Sequence, residues 1–207
     1  MKQASFVYSK EQLGYSFAKD HPFNQQRLLL TVDLLEQVGV LREEHFVTPR
    51  MATDEEILLA NHENYVDIVK KAGAGLLQEG EGLSFGIGTE DTPIFENMHE
   101  ASAQLVGGTL TAVDEVMEGR ARYAVNLGGG LHHGFEGHAS GFCIYNDSSV
   151  AIRYLQKHYG ARVLYVDTDA HHGDGVQWTF YDDPNACTFS IHETGRYLFP
   201  GTGHISE

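Results

Sequence analysis

One stretch of this chain leaves little choice of fold. Val163-Leu164-Tyr165-Val166 is a short apolar run, and it passes directly into V-D-T-D-A-H-H-G-D-G, residues 166–175, which holds three aspartates and two histidines. A brief apolar run that stops at a polar cluster reads as a buried parallel strand, whose carboxyl end is where open α/β sheets carry their chemistry. Alternate side chains of an extended chain share a face, so Asp167, Asp169 and His171 are expected to point the same way. A carboxylate and an imidazole form a donor set that suits Zn²⁺ or Fe²⁺ and needs at least one further ligand. No third ligand is evident nearby. His172, adjacent to His171 and therefore divergent from it, reads as a buried packing or supporting histidine.

A second polar cluster, N-L-G-G-G-L-H-H-G-F-E-G-H-A-S-G-F-C-I-Y-N-D from Asn126 to Asp147, follows the short apolar strand Tyr123-Ala124-Val125. Its glycines let the backbone bend sharply and approach a ligand closely. A phosphate cradle is a weak reading, because the chain has no G-x-G-x-x-G and no G-K-[ST]. Paired His132 and His133 offer two imidazoles able to take and give protons near neutral pH.

The rest of the chain reads as one α/β domain, or the front part of one, without repeats or low-complexity linkers. Gln25 to Val38 carries Leu28, Leu29, Val32 and Leu35 at helical spacing. Thr53-Asp54-Glu55-Glu56 is a capping box ahead of Ile57-Leu58-Leu59, on a helix where His62 and Tyr65 read as packing residues. Glu96 to Met117 places Leu105, Val106, Leu110, Val113 and Val116 on one helical stripe. Gly107 and Gly108 within it cost about 1 kcal/mol each relative to alanine, which close packing against a neighbour explains. Strand 123–127, helix 147–158, strand 162–166, helix 174–180 and strand 186–191 then alternate as right-handed βαβ units of a parallel sheet. Residues 72–75 and 80–88 read as surface connections.

Composition narrows the partners. With 29 acidic against 14 basic side chains the formal charge is −15, which repels nucleic-acid phosphate and favours cationic partners such as lysine-rich tails or polyamines. Two cysteines, Cys143 and Cys187, cannot build a disulfide framework and point to a reducing compartment. Lys2, Lys10, Glu11 and Lys19 break the first twenty residues, so no signal peptide is read there, and no window is apolar enough to span a bilayer. The expectation is a cytoplasmic protein with no nucleic-acid or membrane partner.

Five motifs occur in one order: H-P-F-N-Q-Q-R (His21 to Arg27), E-D-T-P (Glu90 to Pro93), G-G-L-H-H-G with A-S-G-F-C-I-Y-N-D, Y-V-D-T-D-A-H-H-G-D-G-V, and F-S-I-H with F-P-G-T-G. In this the chain resembles the histone deacetylase family, within the arginase/deacetylase superfamily, and most of all its bacterial acetoin-utilisation branch. The resemblance implies an α/β, three-layer fold with a mostly parallel sheet and helices on both faces, of which residues 1–207 form the N-terminal portion of a single domain. It implies that Asp169 and His171 ligate a catalytic Zn²⁺ or Fe²⁺, and that His132 and His133 are catalytic histidines paired with Asp167 and Asp174. Gly141, Phe142 and Phe199 would line a narrow acyl-lysine channel, and Asp91 would be the rim carboxylate that holds substrate backbone amides. Backbone carbonyls around Asp167, Asp169, His171, Ser190 and Ile191 would hold a structural K⁺. The implied reaction is hydrolysis of acetyl-lysine in proteins, or of an acetylated small amine.

Two departures and one relative complete the reading. The family's third metal ligand, an aspartate, and its oxyanion-stabilising tyrosine would follow Glu207, as would strands that insert between those near Tyr123 and Val163. A fragment of a longer product is therefore expected, with a non-catalytic fragment or acyl-lysine-binding module as the alternatives. Ureohydrolases of the arginase type need a further aspartate two residues after His171 for a manganese pair, and Gly173 stands there.

Overall fold

Ser5-Phe6-Val7 closes an N-terminal segment whose first residues, Lys2 and Gln3, hide its strand character from a pattern search. In the computed structural model, which describes residues 2–207, Lys2–Val7 is nevertheless β1, and its burial rises along its length until Ser5, Phe6 and Val7 are enclosed. It runs parallel to β2, Phe46–Val47, and to β3, Ala121–Asn126, so the order is β2-β1-β3. Neither β1 nor the two-residue β2 is legible as an alternating pattern. Their register, with Phe6 beside Phe46 and Val125, comes from long-range pairing.

Helices cover β1 on both faces. α1, Gln26–Gln37, seats Val32 and the half-buried Leu35 in a cluster with Phe6, Leu41 and Phe46. On the other face lies α4, Met98–Met117, where Ser5 Oγ donates to the buried Glu115 carboxylate at 2.7 Å. The expected apolar stripe of α4 holds for Leu105, Val106 and Leu110, but Val116 turns outward and Glu115 takes the buried place. The Gly107 prediction holds in detail: a Cβ there would collide with the Arg50 carbonyl and the Ala52 nitrogen. The cost of glycine in the helix is thus exchanged for close approach of the 50–52 strap, whose Ala52 N–H donates to the Ala103 carbonyl.

The capping box at Thr53 forms, but the helix it starts, α2, Asp54–Ile57, lasts one turn. A new helix, α3, Glu63–Gly73, begins after His62. The single helix expected to carry His62 and Tyr65 is therefore two. Tyr65 is fully buried and donates to the Ile144 carbonyl at 2.7 Å, whereas the His62 side chain is exposed and does not pack.

Beyond β3 the alternation follows the sequence reading closely. α5 spans Asp147–Tyr159, β4 Val163–Asp167, α6 Asp174–Thr179 and β5 Ala186–Ser190. β4 and β5 pair in parallel, with Asp167 opposite Ser190, as a second sheet that shares no hydrogen-bonded neighbour with β3 among the described residues. Val163, Tyr165 and Ala186 pack under Ile152 of α5 and Val176 and Phe180 beside them. The opposite face of β4 and β5 is bare. No helix among the described residues is long and apolar enough to cross a membrane.

Candidate active site

β4 ends at Asp167, and the chain beyond it does not continue as a strand. Asp167 Oδ1 accepts the Asp169 N–H at 3.0 Å, and Asp169 Oδ1 accepts the His171 N–H at 2.8 Å. These successive turns, not strand alternation, bring Asp167, Asp169 and His171 to one cavity of about 790 Å³. Asp167 is buried, His171 is half-buried and Asp169 is exposed.

Two histidine–carboxylate pairs stand side by side on the same wall. His132 Nδ1 lies 2.7 Å from Asp167 Oδ2, His133 Nδ1 lies 2.7 Å from Asp174 Oδ1, and the two rings are 4.0 Å apart. A carboxylate acceptor fixes the proton on Nδ1 of each ring and frees Nε2. Burial opposes charge on His132, yet its hydrogen bond to Asp167 and the field of Asp167, Asp169 and Asp174 raise its pKa above the ordinary value. Burial likewise works against the Asp167 carboxylate, but donation from His132, from the Tyr165 hydroxyl at 2.7 Å and from the Asp169 N–H holds it down at about 2.

The loop before the histidines is held by a carboxylate that the sequence reading gave no role. Asp147, 1 % exposed at the start of α5, accepts the N–H of Gly130 at 3.0 Å and of Leu131 at 2.8 Å, and the Thr109 hydroxyl at 2.5 Å. Asn126 at the end of β3 ties this set to Gln12, and Asn146 Nδ2 donates to the Gly134 carbonyl. The buried Asp174 opens α6, and Gly175 packs so closely on the His132 and Gly134 carbonyls that a Cβ would not fit. Asp147 and Asn146 were visible in the Y-N-D motif, but their burial was not.

Phe142 and Phe199 both line the cavity, and the Phe199 ring sits 4.9 Å from that of His133. Gly141 and Phe142 have φ of 52° and 69°, and Asp91 reaches this turn by accepting the Gly141 N–H at 2.8 Å. Arg27, the last residue of the early histidine-proline motif, and Phe23 also line the cavity, although neither was singled out from sequence. His172 is buried away from it, between Thr202 Oγ1 at 2.8 Å and Gln177 Oε1 at 2.9 Å.

Among the described residues no group of three or more His, Cys, Asp and Glu side chains forms a ready metal cage. Asp169 Oδ1 and His171 Nδ1 do converge, at 3.0 Å. A tetrahedral ion with bonds of about 2.0–2.1 Å spaces its donors by about 3.3 Å, so this pair fits two corners of such a site. Near the strand ends, Ile191 N–H donates to the Asp167 carbonyl at 3.0 Å and Glu193 N–H to that of Ala170 at 2.9 Å. This aligns 167–170 with 190–193.

A family model described as "Histone deacetylase domain" matches residues 21–207. The acetoin utilization protein AcuC of Bacillus subtilis (strain 168) is 63% identical over 207 residues, covering all of this chain and 54% of that protein. AcuC of Staphylococcus aureus (strain MRSA252) is 49% identical, again over the whole chain and 53% of its own length. Among solved structures, an HDAC homolog from Aquifex aeolicus superposes with a TM-score of 0.89 at 32% identity, covering 99% of this chain and 55% of that one. An HDAC homolog complexed with SAHA matches equally well. The chain spans about half the length of the curated relatives it matches.

Proposed function

As a member of the histone deacetylase domain family, this chain is one we propose to be the N-terminal portion, residues 1–207, of a metal-dependent deacetylase. Its substrate is acetyl-lysine in proteins or an acetylated small amine, and its site of action is the cytoplasm. The carrying observation is the pair of 2.7 Å histidine–carboxylate contacts, His132–Asp167 and His133–Asp174, beside Asp169 and His171 in one cavity. A module that only bound acyl-lysine would need neither proton-transfer pair.

Asp169 and His171 would hold Zn²⁺ or Fe²⁺, with a third donor from outside these residues. When bound, the ion supplies positive charge that polarises an acyl carbonyl and acidifies water. His133 is the general base: Asp174 keeps its Nδ1 protonated, so Nε2 takes a proton from the attacking water and later delivers it to the leaving amine. His132, whose pKa is raised against the effect of burial by its hydrogen bond to Asp167 and the surrounding carboxylates, supports the negative charge that develops on the acyl oxygen. Phe142 and Phe199 flank the lysine stem and exclude water from it. Asp91 would hold substrate backbone amides at the rim, and carbonyls around Asp167, Asp169, His171, Ser190 and Ile191 would hold K⁺. That an HDAC homolog of the same fold is complexed with SAHA supports a cavity open to such ligands. The net charge of −15 supports a cationic protein or polyamine scaffold as the carrier of the acyl group.

Acetate release from an acetyl-lysine peptide by the full-length protein tests this reading. Chelation should abolish release, and zinc or ferrous iron should restore it. His133→Ala should lower turnover by about 10²–10⁴-fold while leaving metal content unchanged. Near-normal turnover in that variant would remove His133 as the base.

A further inference from the structure

The turn that touches both the cavity wall and His133 is strained, and a phenol grips it from behind. Phe142 lies in the left-handed region at φ 69°. This conformation is unfavourable for a non-glycine residue and persists only where the surroundings enforce it. Tyr15 enforces it. Fully buried, its hydroxyl donates to the Phe142 carbonyl at 2.6 Å and accepts the Ile144 N–H at 3.1 Å, so one oxygen brackets the strained residue on its carboxyl side. Phe17, Phe23 and Phe95 meet the Tyr15 ring edge-on at 5.5–5.7 Å, which leaves the phenol no room to swing.

On its other side the same turn bears on the proposed base. Gly141 lies so flat against His133 that a Cβ would fall 2.5 Å from the imidazole Cδ2. Any shift of the Phe142 peptide therefore reaches the channel wall and the His133 ring together. Resting on the deacetylase reading, we infer that Tyr15 is a positioning residue, which fixes the Phe142 wall and the Gly141 shelf under His133 through one hydroxyl. The sequence reading assigned Tyr15 no role, and it lies 127 positions from the peptide it holds.

Tyr15→Phe keeps the ring and removes the hydroxyl. Loss of one hydrogen bond of ordinary strength corresponds to about 5-fold, so the Ile144 amide should exchange about 5-fold faster relative to amides inside α4. In folded protein KM for an acetyl-lysine peptide should rise and kcat should fall, each by about 5-fold, because wall and base move together. A variant with a lower melting midpoint but wild-type Ile144 exchange, kcat and KM would overturn the inference, since that is what a purely structural phenol would give. Should Tyr15→Phe not fold, difluorotyrosine at position 15 preserves shape and makes the oxygen a poorer acceptor. Faster Ile144 exchange then supports the clamp, and unchanged exchange refutes it. The exchange measurement stands even if the wild-type protein releases no acetate, in which case only the deacetylase reading falls.

Discussion

At the scale of single residues, the candidate site is organised by carboxylates whose value lies in what donates to them. Asp147 collects two backbone N–H groups and a hydroxyl in a place sealed from water. Asp147→Asn keeps the volume but turns an amide donor toward donors, so it should cost about 2–3 kcal/mol in denaturant unfolding and loosen the loop before His132. An unchanged midpoint would mean that the loop is held elsewhere. Clustering along the chain made some of this legible: histidines and aspartates within a few positions of a strand end announced Asp167, Asp169, His171, His132 and His133. Asp147 and Tyr15 were not legible in that way. Their roles depend on which groups end up buried against partners 16 to 129 positions distant, and local spacing carries no such information.

At the scale of elements, periodicity located α1, α4, α5 and α6 to within a residue or two, because each buries one face, and apolar runs located β3, β4 and β5 as closely, whereas the end of α3 at Ala72 and Gly73 is buried helix where a surface connection was expected. It missed β1, whose outer half is polar, β2, which is too short to show a period, and the break between α2 and α3, where a capping box starts a helix that does not last. A histidine of α4 meets the first of these two helices. In the first turn of α4, His99 Nδ1 lies 2.9 Å from the Tyr145 hydroxyl and Nε2 lies 3.2 Å from Asp54 Oδ1 in α2. Burial lowers its pKa below 6.5, outweighing the opposing pull of Asp54. The unfolded chain therefore takes up a proton near 6.5 before the folded one does, so stability is fully present above 6.5 and lost as pH falls from there toward the folded value. Thermal melts should show this decline, and His99→Gln should flatten it. An identical slope in the variant would exclude His99 as its source.

At the scale of the molecule, the two sheets present their unshared faces differently. β1 is covered on both sides, whereas Tyr123 and Val125 of β3, Leu164 and Val166 of β4, and Phe189 of β5 are each at least 40% exposed. Bare apolar strands with an open edge associate readily. The purified 207-residue chain should therefore bind a hydrophobic dye and self-associate as its concentration rises. Sedimentation as a dye-silent monomer would contradict this. The parallel pairing of β1 with β3 has a consequence in time as well as in space. The first strand leaves the ribosome about 120 residues ahead of the partner that closes over it, and at 5–20 residues per second that is a wait of roughly 6–24 s. Through that interval Phe6 and Val7 have no native neighbour on that side, so the β3-facing edge of β1 stays unpaired until β3 emerges.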